Sequence, residues 1–249
     1  MREQHNEVLV ERISQIHQQS HGTYGSPRIW HALRQQGIRC SRKRIARLMH
    51  IHGIRAKMIR QFKVTTRSRS TQAAAPDLVQ RQFMIHQPNR VWTSDITYIW
   101  TREGWVYLAV VLDLCSRMIV GWELSPRLTA SLVTTAVEHA LYWRRPAEDL
   151  ILHSDRGSQY ASTELRLLAK EQMIRLSMGR TGSCYDNAVT ESFFHTLKTE
   201  HIYFHQYETR HDARTSIFEY IETFYNQQRL HSTLGNRSPM QFVLQLTMT

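Results

Sequence analysis

Between residues 6 and 53 apolar side chains recur every three or four positions, the period of helices that bury one face. Val8, Leu9, Ile13 and Ile16 outline a first helix over about 6–19. Ile29, Trp30 and Leu33 outline a second, with Ser26 as its expected cap, Pro27 at its first helical position and Gly37 beyond its end. A third opens at Ser41 and closes at Gly53, with Ile45, Leu48 and Met49 facing inward. From 57 to 89 this period is lost, and the stretch TTRSRSTQAAAP reads as a linker. Beyond it the pattern shifts to period two and to continuous apolar runs: VWTSDITYIW, WVYLAVVLDLC and RMIVGWEL. Their connections, at 102–104 and 116–117, are short, which predicts three consecutive antiparallel strands. A helix over about 129–143, the strand LILH, a helix over about 162–172, the brief strand IRLSM and a long helix from about Asp186 follow. This order predicts an α/β fold, a mixed sheet with flanking helices, behind a small all-helical domain. The expected division is 1–57 helical, 58–89 linker and 90–249 core.

Charge sharpens that division. Residues 1–75 hold 15 Lys or Arg against 3 Asp or Glu, whereas the remainder is close to balanced, 17 against 18. No acidic residue stands between Arg12 and Pro76. An unbroken positive segment points to a polyanion such as nucleic acid. The second and third helices, joined by a link at 38–41, suit a helix-turn-helix whose second helix enters the major groove. That makes Arg42, Lys43, Arg44 and Arg47 the candidate DNA contacts; a helical hairpin with a solvated basic face is the simpler alternative. No apolar run approaches the roughly 20 residues of a bilayer span, and the N-terminus lacks the apolar stretch of a secretory signal, so a cytoplasmic protein without a membrane partner is expected. Cys40, Cys115 and Cys184 are too scattered for a disulfide framework or a paired-cysteine zinc site.

Three acids carry the candidate chemistry. Asp95 interrupts the first strand, between Val91 and the apolar Ile96 and Ile99, where an uncompensated carboxylate is costly. Asp155 follows the LILH strand at a glycine turn, where α/β sheets present side chains to ligands; a turn cap is its bland reading. If LILH lies beside the first strand, the two aspartates meet. Asn187, Glu191, His195 and Lys198, at steps of four, four and three, form one polar helical stripe opposite Val189, Phe193 and Leu197, so Glu191 can face them. Two aspartates and a glutamate are oxygen donors suited to Mg²⁺ or Mn²⁺, and a pair of such ions promotes in-line displacement at phosphorus.

TSDITY around Asp95, HSDRGSQYAS around Asp155 and GSCYDNAVTESFFHTLKTE around Glu191, with 35 residues between the last two acids, resemble the second-frame transposase protein of a large bacterial insertion-sequence family. YGSPRI and FYNQQRLHSTLGNRSPMQF match the same pattern. The resemblance implies a retroviral-integrase-like, ribonuclease-H-like core. In it Asp95, Asp155 and Glu191 would hold two divalent ions, cleave the ends of the element and let a 3′ hydroxyl attack DNA. Lys198 would correspond to a basic residue that holds end DNA. It further implies double-stranded DNA partners, a homodimer or larger DNA-bound assembly, and an upstream-frame protein fused to or partnered with this chain. A non-catalytic DNA-binding regulator and a metal-dependent nuclease without strand transfer are the alternatives.

Other candidates rank lower. His17 and His21 have zinc-ligand spacing but no cysteine pair to complete a site, and zinc is rejected. His201 and His205 are expected at the surface. Arg229 and His231 suit phosphate contact or, for Arg229, a helix-ending salt bridge. Asp113 is expected to be a turn residue.

Overall fold

The computed structural model describes residues 2–57, 75–79, 85–179 and 188–248. Three helices open the chain: α1, Arg2–Gln19; α2, Ser26–Gln35; and α3, Arg42–Ile51. Leu9, Ile13 and Ile16 are buried as expected, but Val8 lies 61% exposed, one step around the helix from the inward stripe. The cap of α2 is Gly25, not Ser26, which is already helical and makes no capping bond, so Pro27 sits one position further in. Ser41 does cap α3, accepting the Arg44 N–H at 3.2 Å. Gly37, with φ +79°, lets the chain leave α2 in a left-handed conformation that any side chain would strain.

The expected three-stranded meander is present: β1, Val91–Thr101; β2, Gly104–Asp113; and β3, Ile119–Ser125. It pairs antiparallel throughout. After α4, Ala130–Arg144, comes β4, Ile151–Ser154; after α5, Thr163–Glu171, comes β5, Arg175–Met178. Both late strands run parallel to their neighbours, giving the order β3-β2-β1-β4-β5. Helix α6, Ala188–Glu200, precedes α7, Arg210–Phe218, which widens into π-helical turns over Glu219–Tyr225; α8, Pro239–Thr247, ends the fold.

Strand alternation sends side chains to both faces of this sheet, and each face has its own apolar cluster. On one, Trp92, Ala109 and Val111 pack against α4 and α5. Gly121 of β3 makes that approach possible: an added Cβ would stand 2.2 Å from the Ala136 carbonyl oxygen. On the other, Val91, Ile99, Leu108 and Val110 pack against Phe193 and Leu197 of α6 and Ile221 and Phe224 of the π-helical turns. This second cluster continues without a break into Ile13, Ile29, Leu33 and Ile45 of the helical module.

The module is also tied to the core by polar groups. The Tyr24 hydroxyl donates to the Gln228 carbonyl at 3.1 Å and accepts the Leu230 N–H at 2.7 Å. Arg28 of α2 reaches Glu200 at the end of α6, at 3.2 Å. Most of the expected linker lies outside the described residues; of its two described parts, 75–79 and 85–89, the first lies against β5, where Leu78 donates to the Ser177 hydroxyl and Met178 to the Pro76 carbonyl.

A carboxylate pair at the open end of the sheet

The ladder between β1 and β4 is only four residues long and ends with Ser94 opposite Ser154. The next residue on each strand is an aspartate, so Asp95 and Asp155 leave the ladder at the same level. There the strands part: β1 continues to Thr101, while the chain after Ser154 turns away. Asp155 organises that turn, its Oδ1 accepting the Gly157 N–H at 2.9 Å. Gly157 allows the close wrap, since a Cβ there would stand 3.0 Å from the same oxygen. Asp95 accepts the N–H of its neighbour Ile96 at 2.7 Å.

Helix α6 crosses β1 beside this pair. The Thr190 hydroxyl, fully buried, donates to Thr93 at 2.7 Å and fixes the first turn of the helix two residues before Asp95. Glu191 is the next residue and stands on the exposed side of that turn, as does His195 one turn on. Phe193 and Leu197 are buried as expected, Val189 only half so, and Thr190 and Phe194 widen the inward face. The expected stripe is therefore not uniformly solvated: Lys198 is half-buried, with Nζ 5.0 Å from the centre of the Tyr98 ring. Asn187, Cys184 and the expected helix start at Asp186 lie outside the described residues.

The electrostatics follow from crowding like charges out of water. Burial, then Asp155 and then Glu191, push the Asp95 carboxyl up to about 8, against the Ile96 N–H and the Lys198 ammonium. Burial raises Asp155, opposed by the Gly157 N–H, and burial also raises Glu191. Beneath the pair lies a phenol that sequence spacing did not reveal: Tyr160, buried, within 3.0 Å of the Ser94 hydroxyl. Burial first, and Asp95 next, hold its proton well above the ordinary range. Desolvation lowers Lys198, while Tyr98 and Asp95 counteract it. The site thus holds two adjacent carboxylates, a third within electrostatic reach and one partly desolvated ammonium. As they stand, no three His, Cys, Asp or Glu side chains among the described residues are close enough to hold a metal ion.

The candidate DNA contacts separate into two kinds. Arg42, Lys43 and Arg47 project into solvent at the start of α3. Arg44 instead turns back to α1, where its Nε and Nη2 donate to the Asn6 side-chain oxygen at 3.1 and 2.7 Å. Arg229 is not a phosphate contact. It is 5% exposed and grips the Glu200 carboxylate with two bonds of 2.7 Å, which selects the salt-bridge alternative. His231 is half-buried, its proton affinity pushed down to about 2 by burial, then Arg229. His201 is no surface residue either: it bonds the Ser216 hydroxyl at 2.7 Å, and burial followed by His205 pushes it down to about 3. Asp113 is the expected turn residue, accepting the N–H groups of Asn89 and Ser116 and the Ser116 hydroxyl. His17 bonds the Arg55 carbonyl, and the His21 ring packs edge-on against Phe224. Among the described residues no helix is long and apolar enough to cross a membrane.

Comparison with known proteins bears on the whole chain. An HTH-like domain family matches residues 4–62, and an integrase core domain is matched over 85–184 and again over 172–239. The insertion element IS600 uncharacterized 31 kDa protein of Shigella sonnei is 42% identical over 241 residues, 97% of this chain and 89% of that protein. Transposase InsF for insertion sequence IS3A of Escherichia coli K12 is also 42% identical, over 88% of this chain and 76% of its own. Among solved structures, a chain of the simian T-cell lymphotropic virus intasome in complex with PP2A regulatory subunit B56 gamma superposes with a TM-score of 0.55 at 17% identity, covering 92% of this chain and 73% of that one. That likeness supports the ribonuclease-H-like, integrase-type fold of the core. The chain therefore belongs to the IS3-type insertion-sequence transposases, with an integrase core domain behind a helix-turn-helix-like module.

Proposed function

We propose that Asp95, Asp155 and Glu191 form the catalytic triad of a polynucleotidyl transferase that cuts DNA at the ends of its element and joins the 3′ hydroxyl to new DNA. The observation that carries this reading is the Asp95–Asp155 pair: two carboxylates, one half-buried and one exposed, at one level where a parallel strand pair ends, their proton affinities raised by desolvation and, at Asp95, by the neighbouring acid. Such a pair is repulsive when ionised unless a cation is shared. The donors are all carboxylate oxygens, which fits Mg²⁺ or Mn²⁺. When bound, a pair of these ions supplies activation of the attacking hydroxyl and stabilisation of the leaving oxygen.

The chain's own residues divide the remaining work. Asp95 and Asp155 would hold the ions on the sheet, and Glu191 would supply the third carboxylate from the first turn of α6. The Thr190–Thr93 bond keeps that turn on β1. Lys198 offers an ammonium to a phosphate on the same side, which also offsets the charge of Asp95. Residues 1–57 serve as the DNA-binding arm through Arg42, Lys43 and Arg47, while Arg44 contributes mainly by joining α3 to α1. The working form is a dimer or larger assembly on two DNA ends, with the upstream-frame segment fused or alongside.

Labelled element ends incubated with Mg²⁺ test this. Wild-type protein is expected to cut and, given a pre-cleaved end, to yield joined products; EDTA abolishes both. Asp155→Ala is expected to lose cleavage at least a hundredfold while binding ends with unchanged affinity, since affinity rests on phosphate contacts of the arm. Undiminished Mg²⁺-dependent cleavage by that variant would overturn the assignment.

A further inference from the structure

Beyond Asp95, β1 carries a surface that the catalytic reading leaves unused. Tyr98 is 40% exposed and Trp100 57%, and both point to one face because they are two residues apart on a strand. Trp105 of β2 stands directly across from Trp100 in the ladder and is 45% exposed. The three rings touch edge to face, with centroids 4.9 Å apart for Trp100–Trp105 and 5.2 Å for Tyr98–Trp105. Such contacts hold the rings in fixed orientation while each stays partly exposed. Keeping two indoles and a phenol exposed is costly in a sheet whose other apolar residues are buried or half-buried.

The location narrows the occupant. β4 pairs only with Val91–Ser94, so from Asp95 onward this side of β1 has no ladder partner among the described residues. Along β1 the strand rise separates Tyr98 from Asp95 by about 10 Å and Trp100 by about 17 Å. Alternation puts these rings on the other face of the sheet from the Asp95 side chain, so a DNA strand reaching both passes over the open edge of β1. The separation along β1 is a few nucleotides of a DNA strand, at about 3.4 Å each. Lys198, on the helix that carries Glu191, reaches across to the Tyr98 ring, so a cation of the carboxylate site also borders the aromatic surface. Partly exposed aromatic rings beside a cation are the chemistry that binds unpaired bases, which offer a flat face for stacking that a base inside a duplex does not.

We propose that Tyr98, Trp100 and Trp105 form a stacking platform for unpaired bases of the DNA strand whose phosphodiester lies at Asp95 and Asp155, holding the end open next to the bond that is cut. This rests on the catalytic reading for the identity of the strand, but the platform can be tested without catalysis. Each stacked base contributes enough to change affinity by about tenfold.

The experiment uses full-length protein, without metal, and a short single-stranded oligonucleotide carrying 2-aminopurine. Wild-type protein is expected to quench the probe by stacking. Trp100→Ala is expected to weaken binding about tenfold, Trp100→Ala with Trp105→Ala further, and Trp100→Phe to retain most of it. Affinity for fully paired duplex ends, read by α3, stays unchanged in the same variants, which also reports that they are folded. In a second arm with Mg²⁺, Trp100→Ala slows cutting of paired ends, and ends with mismatched, already unpaired bases restore it. Equal quenching and affinity across the variants would overturn the platform. So would a change of oligomeric state with no change in oligonucleotide binding, which would make the aromatic surface a contact between copies. Failure of wild-type protein to cut, with quenching intact, refutes the catalytic reading and leaves the platform standing.

Discussion

Glu200→Gln is expected to cost more stability than any other single loss of charge in the described core. The Glu200 carboxylate, at the end of α6, accepts two bonds of 2.7 Å from Arg229, one of 3.2 Å from Arg28 and one of 3.3 Å from the Tyr220 hydroxyl. Burial alone would raise its proton affinity, yet Arg229, and after it Arg28, lower it below the ordinary 4.5. Removing the negative charge leaves the Arg229 guanidinium, 5% exposed, with no counter-ion at hand. Breaking a buried pair from one side costs about 3–5 kcal/mol. Arg28→Met provides the internal control, because its side chain is 31% exposed and its pair with Glu200 is solvent-screened. Losing that pair costs about 1 kcal/mol or less, and losing the stacking of Arg28 over Tyr24 about another 0.5–1 kcal/mol. Urea unfolding at constant m-value, followed by far-ultraviolet circular dichroism, reads the difference. The sign with pH is fixed by the lowered affinity: the ionised carboxylate contributes fully above 4.5, and its contribution fades as pH falls through the folded value. The gap between wild type and Glu200→Gln should therefore narrow under acid. Equal losses for the two variants, or a Glu200→Gln loss below about 1 kcal/mol, would refute the buried-charge reasoning.

Two further substitutions probe the site and the sheet. Because the folded protein holds on Asp95 a proton that the unfolded chain releases between 3.8 and about 8, the contribution of Asp95 is present below 3.8 and is lost as pH rises toward 8. Asp95→Asn should therefore stabilise metal-free protein at pH 8 by about 2–5 kcal/mol, with the advantage vanishing near pH 4; a thermal melt in EDTA that shows no gain at pH 8 contradicts this. Gly121→Ala would drive a Cβ to 2.2 Å from the Ala136 carbonyl and 2.7 Å from the Ala140 nitrogen, both backbone atoms; a loss of about 3 kcal/mol or more is expected, and an unchanged Tm would show that α4 can move away.

What the chain disclosed in one dimension was whatever depends on local period and composition. The meander, the alternation of helix and strand after it and the basic first third all follow from neighbours within a few residues. The Asp95–Asp155 meeting was also legible, because a short apolar strand after a helix crossover returns parallel to an existing edge. Helix starts were less so: Ser26 reads as the cap of α2, but the extended backbone lies at Gly25, one residue earlier. Features built from distant residues left no trace in spacing. Arg28 and Glu200 are 172 positions apart, Ser94 and Tyr160 are 66, and no periodicity links them. Arg44 shows the same limit from the other side: its place in a basic run suggests a groove contact, while Asn6, 38 positions away, engages its guanidinium. The aromatic surface is intermediate, since alternation puts Tyr98 and Trp100 on one face, but only the β1–β2 register sets Trp105 against them.

Helix α6 connects what was legible with what was not. Its first turn carries Glu191 and is bonded to β1 through Thr190; its last residue is Glu200, which receives Arg28 from the helical module. Eight residues of helix separate the two acids, a rod of about 14 Å. A single element thus meets the carboxylate pair at one end and the basic module at the other, while Lys198 borders the aromatic surface between them. The module is consequently not a bead on a string: its apolar side chains are continuous with those of the α6 face, and its ionic contact closes on the helix that supplies the third carboxylate. A charge lost at Glu200 loosens the seat of the module and the end of that rod together, so its cost should appear as one cooperative transition rather than as early melting of α1–α3 alone.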